Sequence, residues 1–200
     1  MLNNIELELR AEVTLDHFEK LLTDLKNRTK LISQSKRLSV MFLGEINKYN
    51  FDVRVRTNSK NEAEVVFKKG DFHTHDRIEN SQKIERDQFM GIVKLFSLFD
   101  FSSKVTEREN FEFDLGDDVK LVLVKAGSIA YVEIEKMSSV ENLEKNKLEL
   151  LKIIESCKLK VLKDDKEFSE LCDRLTKNSD WVFNGTKEHM DKIAEMLKTY

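Results

Sequence analysis

The 200-residue sequence predicts an α+β fold, and three observations carry that prediction. Up to about Lys136 the chain runs in short segments where apolar and charged residues alternate, the pattern of an antiparallel sheet with one wet face. From Ser139 onward the apolar residues recur every three or four positions, so the last third is helical. The chain has no proline and only 6 glycines, so Asn, Asp, Ser and Lys must make its turns and no proline-rich linker divides it.

The elements follow in order. Asn4 to Val13 is a strand with Ile5, Leu7 and Leu9 on one side and Glu6, Glu8 and Arg10 on the other. Thr14 is placed to cap a helix whose face is Leu15, Phe18, Leu22 and Leu25. A polar stretch around Ser33 to Arg37 precedes strands at Leu38 to Leu43, Phe51 to Thr57 and Ala63 to Lys69, with a turn at Asn58 to Asn61. Between Ser81 and Asp100, the residues Ile84, Phe89, Ile92, Val93 and Phe96 predict a helix. Strands return at Lys104 to Phe113, Val119 to Val124 and Ile129 to Lys136, the last two joined by a tight turn at Lys125 to Ser128. Helices then follow from Ser139 (Leu143, Leu148, Leu151, Ile154), around Phe168 to Leu175, and from near Thr186 to Leu197.

Charge narrows the class of function. With 34 basic and 37 acidic residues the formal net charge is −3, in a chain 36% charged and 40% hydrophobic. That balance is too apolar for a disordered chain and too neutral for a protein that coats DNA. One domain over 1–200 is expected, with no membrane segment and a cytoplasmic location. Cys157 and Cys172 lie in helical stretches without metal-like neighbours and read as buried thiols.

Several strands carry charge in register with the alternation. Glu6, Glu8 and Arg10 share one face, Arg54 and Arg56 another, Glu133 and Glu135 a third, and Lys68 and Arg108 sit in strands between. Two readings fit. In one, each face meets solvent, as on any half-wet sheet; in the other, the strands curve so that the faces converge, the carboxylates holding a hard divalent cation and the cations clasping phosphate oxygens.

The order of these motifs resembles the CYTH, or triphosphate tunnel metalloenzyme, family. Glu6-Leu7-Glu8-Leu9-Arg10 is similar to its opening E-x-E-x-K/R strand and Arg54-Val55-Arg56 to its R-x-R strand. Phe67-Lys68-Lys69-Gly70 resembles its lysine-bearing strand, Arg108 a later basic position, and Val132-Glu133-Ile134-Glu135 the closing E-x-E strand. The resemblance implies an antiparallel eight-stranded triphosphate tunnel barrel with flanking helices, the tunnel lying mainly in 1–136 and a helical extension in 139–200. It further implies that Glu6, Glu8, Glu133 and Glu135 bind Mg²⁺ or Mn²⁺ and carry the catalysis. Arg10, Arg54, Arg56, Lys68 and Arg108 are implied to hold the phosphates. Lys69 competes with Lys68: strand parity with Glu64 and Val66 favours Lys68, and a bulge would reverse the choice.

The implied activity is metal-dependent hydrolysis of inorganic triphosphate, or of a small organic or nucleoside triphosphate, releasing orthophosphate. Thr106 stands where many members of the family carry a Lys or Arg, with Lys104 one alternation further back. Leu123 to Gly127 lacks the Asp that cyclases place before the closing strand. A class IV-like adenylyl cyclase, an RNA 5′-triphosphatase and a noncatalytic triphosphate or nucleotide binder are the alternatives. For RNA, Lys26, Arg28, Lys30, Lys36 and Arg37 offer either a backbone-tracking path or an ordinary solvated surface. His73-Thr74-His75-Asp76 carries metal-ligand chemistry without a distant third ligand and reads as a polar loop. Trp181 and Phe183 read as core packing against the terminal helices or as base contacts. The long helix from Ser139 packs on its own sheet or on a second copy, leaving monomer and homodimer both open.

Overall fold

The computed structural model describes residues 5–46, 48–70, 76–162 and 165–200. In chain order the elements are β1 (Ile5–Val13), α1 (Leu15–Arg28), β2 (Lys30–Ile46), β3 (Tyr49–Asn58), β4 (Ala63–Lys69) and β5 (Asp76–Ile84). A 3-10 turn (Arg86–Gln88) leads into α2 (Phe89–Phe96), then β6 (Ser102–Gly116), β7 (Val119–Ala126) and β8 (Ile129–Ser138). After a second 3-10 turn (Val140–Asn142) come α3 (Leu143–Ser156), α4 (Asp165–Asn178), β9 (Trp181–Val182) and α5 (Lys187–Leu197).

The local chemistry of these boundaries is legible. The Thr14 hydroxyl accepts a hydrogen bond from the His17 N–H at 3.2 Å and so caps α1, and Thr186 does the same for α5 through the His189 N–H. The β6–β7 hairpin turns on Asp117 and Asp118, both left-handed at φ 50° and 60°, a conformation Asp tolerates and hairpin twist favours. Gly127, at φ 59°, makes the β7–β8 turn.

The strands form a nine-stranded antiparallel sheet in the order β2-β3-β4-β5-β1-β8-β7-β6-β9, with β2 also pairing β6. The expected eight-stranded tunnel barrel is thereby corrected: the strands make a nine-stranded sheet. The additional strand, β9, is two residues long, too short to show alternation, and pairs with Lys104 and Val105 of β6. Two other expectations change. Asp76–Ile84 is a strand, where Ser81 was expected to begin a helix; the helical spacing holds only from Phe89. Its apolar residues are so few that β5 shows no core face, and pairing with β1 defines it. The polar stretch around Ser33 to Arg37 lies within β2.

The chain divides into two compact units. The first comprises Met1–Gln34, His73–Ile78 and Glu109–Ser179. In its main core Leu7, Leu9 and Ala11 of β1 and Ala130, Val132 and Ile134 of β8 pack with Phe18 and Leu25 of α1 and Leu150 and Ile154 of α3. On the other face of the sheet, Val122 and Val124 of β7 and Tyr131 of β8 pack with Leu171 and Leu175 of α4. The second unit comprises Ser35–Phe72, Glu79–Arg108 and Asp180–Tyr200. Its core gathers Leu38, Val40, Phe42, Val53 and Val55 with Phe89 and Val93 of α2, Phe183, and Ile193 of α5. Each fully buried Phe or Leu here contributes about 1.5–3 kcal/mol by leaving water. Cys157 is buried as expected, whereas Cys172 is only half-buried. Among the described residues no helix is long and apolar enough to cross a membrane.

Candidate functional site

In the first unit the opening and closing strands of the motif series are neighbours. The β1–β8 register sets Glu8 opposite Glu135 and Arg10 opposite Glu133, with Glu6 opposite Met137. Directly paired residues share a face, so Glu6, Glu8, Arg10, Glu133 and Glu135 lie together on the side away from the main core. The Arg10 Nε donates to Glu133 Oε1 at 2.9 Å, and its guanidinium also forms an ion pair with Glu8. Burial by itself would pull the Arg10 pKa down; Glu8 and Glu133 together outweigh it and hold the pKa above its ordinary value. The Phe168 ring of α4 lies over the guanidinium at 4.3 Å. Glu135 faces Lys120 of β7 at 3.8 Å.

In the second unit the basic residues gather in the same way. The β3–β4 register sets Asp52 opposite Lys68, Arg54 opposite Val66 and Arg56 opposite Glu64. Lys68 therefore shares the face of Arg54 and Arg56, is buried, and reaches Glu79 of β5 at 2.5 Å. Lys69 points the other way and lies over the Tyr49 ring at 4.3 Å. Arg54 grips both carboxylate oxygens of the buried Asp52, its Nε at 3.0 and 2.9 Å. Arg56 stands 3.6 Å from both Glu64 and Glu79. Burial first, and then the positive charges of Arg37 and Arg54, push its pKa down to about 10.

Later in the chain, Arg108 Nη1 donates to Asp180 Oδ1 at 2.7 Å and Lys104 Nζ approaches Asp180 Oδ2 at 3.1 Å. Thr106, at the position where a second cation was looked for, is buried between them on the strand, and Lys104 meets the same carboxylate as Arg108. The sequence reading missed Asp52, Glu79, Asp180 and Phe168. Asp52 had a signal, since Asp52-x-Arg54-x-Arg56 keeps one parity; Asp180, between α4 and β9, had none.

The carboxylates fit a hard divalent cation by type, being oxygen donors, and two of them stand directly opposite one another, where like charges repel unless a cation lies nearby. Among the described residues, no three His, Cys, Asp or Glu side chains are drawn together as a metal cage. Arg10 instead engages Glu8 and Glu133. His73 and His75 lie outside the described residues. Trp181 and Phe183 pack into the second unit's core, as the packing reading expected, with the Lys192 Nζ 3.9 Å over the indole.

No family model and no curated protein matches this sequence. Solved structures do match. The PH1012 protein of Pyrococcus horikoshii OT3 is 19% identical over 78% of this chain and 91% of its own, at a TM-score of 0.63. The PH1819 protein of the same organism is 14% identical over 84% and 99%, at 0.60. The Schizosaccharomyces pombe Mediator head module contributes a chain 12% identical over 76% and 95%, at 0.55. The chain shares the fold of these solved structures. At these identities the likeness is one of fold, and a fold hosts chemistry only through the side chains placed on it.

Proposed function

We propose that this protein binds a triphosphate and hydrolyses it with a divalent cation, releasing orthophosphate. The observation that carries the reading is the pairing of the two E-x-E strands, which sets Glu8 opposite Glu135 and Arg10 opposite Glu133 on one face. Glu6, Glu8, Glu133 and Glu135 would hold Mg²⁺ or Mn²⁺, which when bound supplies charge neutralisation at phosphate oxygens and an acidified water. Arg54, Arg56, Lys68 and Arg108, with Arg10, hold phosphate oxygens through charge-assisted donors and stabilise charge that builds on the phosphoryl group. Asp52, Glu79 and Asp180 keep the cations oriented, so little reorganisation is needed when a substrate arrives. Inorganic triphosphate or a small organic or nucleoside triphosphate is the substrate class, with a triphosphate-ended RNA as the larger alternative.

One observation favours a second reading, a noncatalytic triphosphate binder: Arg10 already occupies Glu8 and Glu133. A single experiment separates the two. Phosphate release is measured from inorganic triphosphate, thiamine triphosphate, ATP and triphosphate-ended RNA, with Mg²⁺ or Mn²⁺, for wild type, Glu6→Ala and Glu133→Ala, with the ATP products tested for cyclic AMP. Metal-dependent orthophosphate release lost in both variants supports the hydrolase. Tight ligand binding without turnover replaces it with the binder, and cyclic AMP replaces it with a cyclase.

A further inference from the structure

Beside the basic face of the second unit lies a cleft of about 130 Å³ lined by Arg37, Arg56, Glu62, Glu64 and Lys83, with Thr57, Asn58 and Ala63 completing its wall. Its size is several times what one ordered water requires and is ample for a tetrahedral oxyanion. The β2–β3 register sets Arg37 opposite Asn58 and Ser39 opposite Arg56, so the two arginines stand diagonally on one face, within reach of each other.

Their donors are the unusual feature. Arg37 Nε and Arg56 Nε are both buried, and neither has a hydrogen-bond partner among the described residues. The carboxylates nearest Arg56 stand at 3.6 Å, beyond hydrogen-bonding range. A buried guanidinium nitrogen left without an acceptor is costly, so two in one cleft point to a missing acceptor. The acidic residues of the cleft do not fill that role: Glu62 accepts from the Asn58 side chain at 2.8 Å, and Glu64 lies partly in solvent. Three cations against two carboxylates leave the cleft positive.

We propose that Arg37, Arg56 and Lys83 form a phosphate subsite in which an oxyanion accepts from the two buried Nε–H groups while Lys83 supplies a third, solvent-facing charge. Arg56 links this subsite to the R-x-R strand, so the cleft takes one phosphoryl group of the triphosphate, or the orthophosphate released from it. Arg37 and Lys83 thereby join the phosphate-holding residues. This assignment rests on the reading of the chain as a triphosphate binder, yet it needs neither metal nor turnover to be tested. The low Arg56 pKa agrees with it, since repulsion from Arg37 and Arg54 is what an anion would relieve.

The test is calorimetric titration of the full chain with inorganic phosphate and with tripolyphosphate, in chelator and without divalent metal. Wild type, Arg37→Gln and Lys83→Gln are compared, and thermal melts confirm that each is folded. The expected result is phosphate binding weakened about tenfold in Arg37→Gln, the loss of one charge-assisted hydrogen bond. In the exposed Lys83→Gln, whose fold is not at risk, it weakens about threefold with a shallower salt dependence. No phosphate binding by wild type, or binding unchanged in both variants, overturns the subsite. Hydrolysis with unaltered KM and unaltered phosphate binding in Arg37→Gln removes the subsite and leaves the hydrolase standing. Phosphate binding that depends on Arg37 without hydrolysis of any triphosphate does the reverse.

Discussion

Arg108 Nη1 donates to Asp180 Oδ1 at 2.7 Å, and the Asp180 side chain is 0% exposed to solvent. The carboxylate lies one residue before β9, the strand that pairs with Lys104 and Val105. The C-terminal segment thus inserts a buried acid between two cations of β6.

Removing that acid takes from the buried Arg108 and the largely buried Lys104 the carboxylate they share. Asp180→Ala is expected to lower stability by about 3–5 kcal/mol, with Asp180→Asn lowering it less because one acceptor oxygen survives. Urea denaturation measures both; equal midpoints for Asp180→Ala and wild type would show that the contact is energetically idle.

The depressed pKa of Arg56 sets a pH dependence. Its folded value, about 10, lies below that of an ordinary arginine, so between the two the unfolded chain binds more protons and stability rises with pH. The cost of burying the charged form is fully present below about pH 10, and relief across the window amounts to about 3 kcal/mol. Stability of wild type minus that of Arg56→Gln should climb as pH rises past about 10, and a flat difference would count against the shift. Metal-free phosphate binding should fall over the same interval as Arg56 loses its proton.

On the proposed reading, Arg10, which pairs with Glu8 and Glu133, would compete with a divalent cation for them. Arg10→Ala should therefore be less stable without metal, through repulsion among the carboxylates, and should bind Mg²⁺ or Mn²⁺ about tenfold more tightly. Hydrolysis should nonetheless drop, since Arg10 is also assigned to phosphate. Calorimetry with each metal decides the point, and weaker metal binding in the variant would remove these carboxylates from the metal's ligand set.

Phe168 brings α4 onto the candidate site through its contact with Arg10. Phe168→Leu keeps the apolar volume and loses the ring, so about 1 kcal/mol of stability should go. KM for a triphosphate should rise more than kcat falls, because the orientation of Arg10 is what the ring secures. A change in kcat alone would assign the ring another role.

How much of this was legible depended on whether an element shows its two faces in its own residues. β1, β3 and β8 alternate cleanly, and their charged faces were legible from parity; β4, with Val65-Val66 and Lys68-Lys69 side by side, does not, and it is the pairing of Asp52 with Lys68 that sets Lys68 on the face of Arg54 and Arg56. β5 and β9 could not be read so: the first has too few apolar residues to declare a buried side, and the second is two residues long. The eight-stranded barrel failed because it was carried over whole from a resemblance, while strand count depends on pairings such as Lys104 with Val182 that no local pattern encodes. The acidic partners Glu79 and Asp180 were invisible for a related reason, since each acts on a cation distant in sequence.

In the second unit, Arg54, Lys68 and Arg108 each rest beside a carboxylate of that unit. On the proposed reading, a polyanion reaching the second unit's basic residues would not meet bare positive charge; it would swap places with carboxylates already seated there, as a mobile ion does on an exchange resin. Such a surface discriminates by charge density. Chloride or a lone carboxylate offers no more than the resident acid and gains nothing by the swap, whereas a chain of phosphates can address several cations at once and displace their partners together. The carboxylates set free then take up protons or small cations from solution, so binding should carry a weaker salt dependence than the number of cations suggests, and a measurable uptake of counterions in its place.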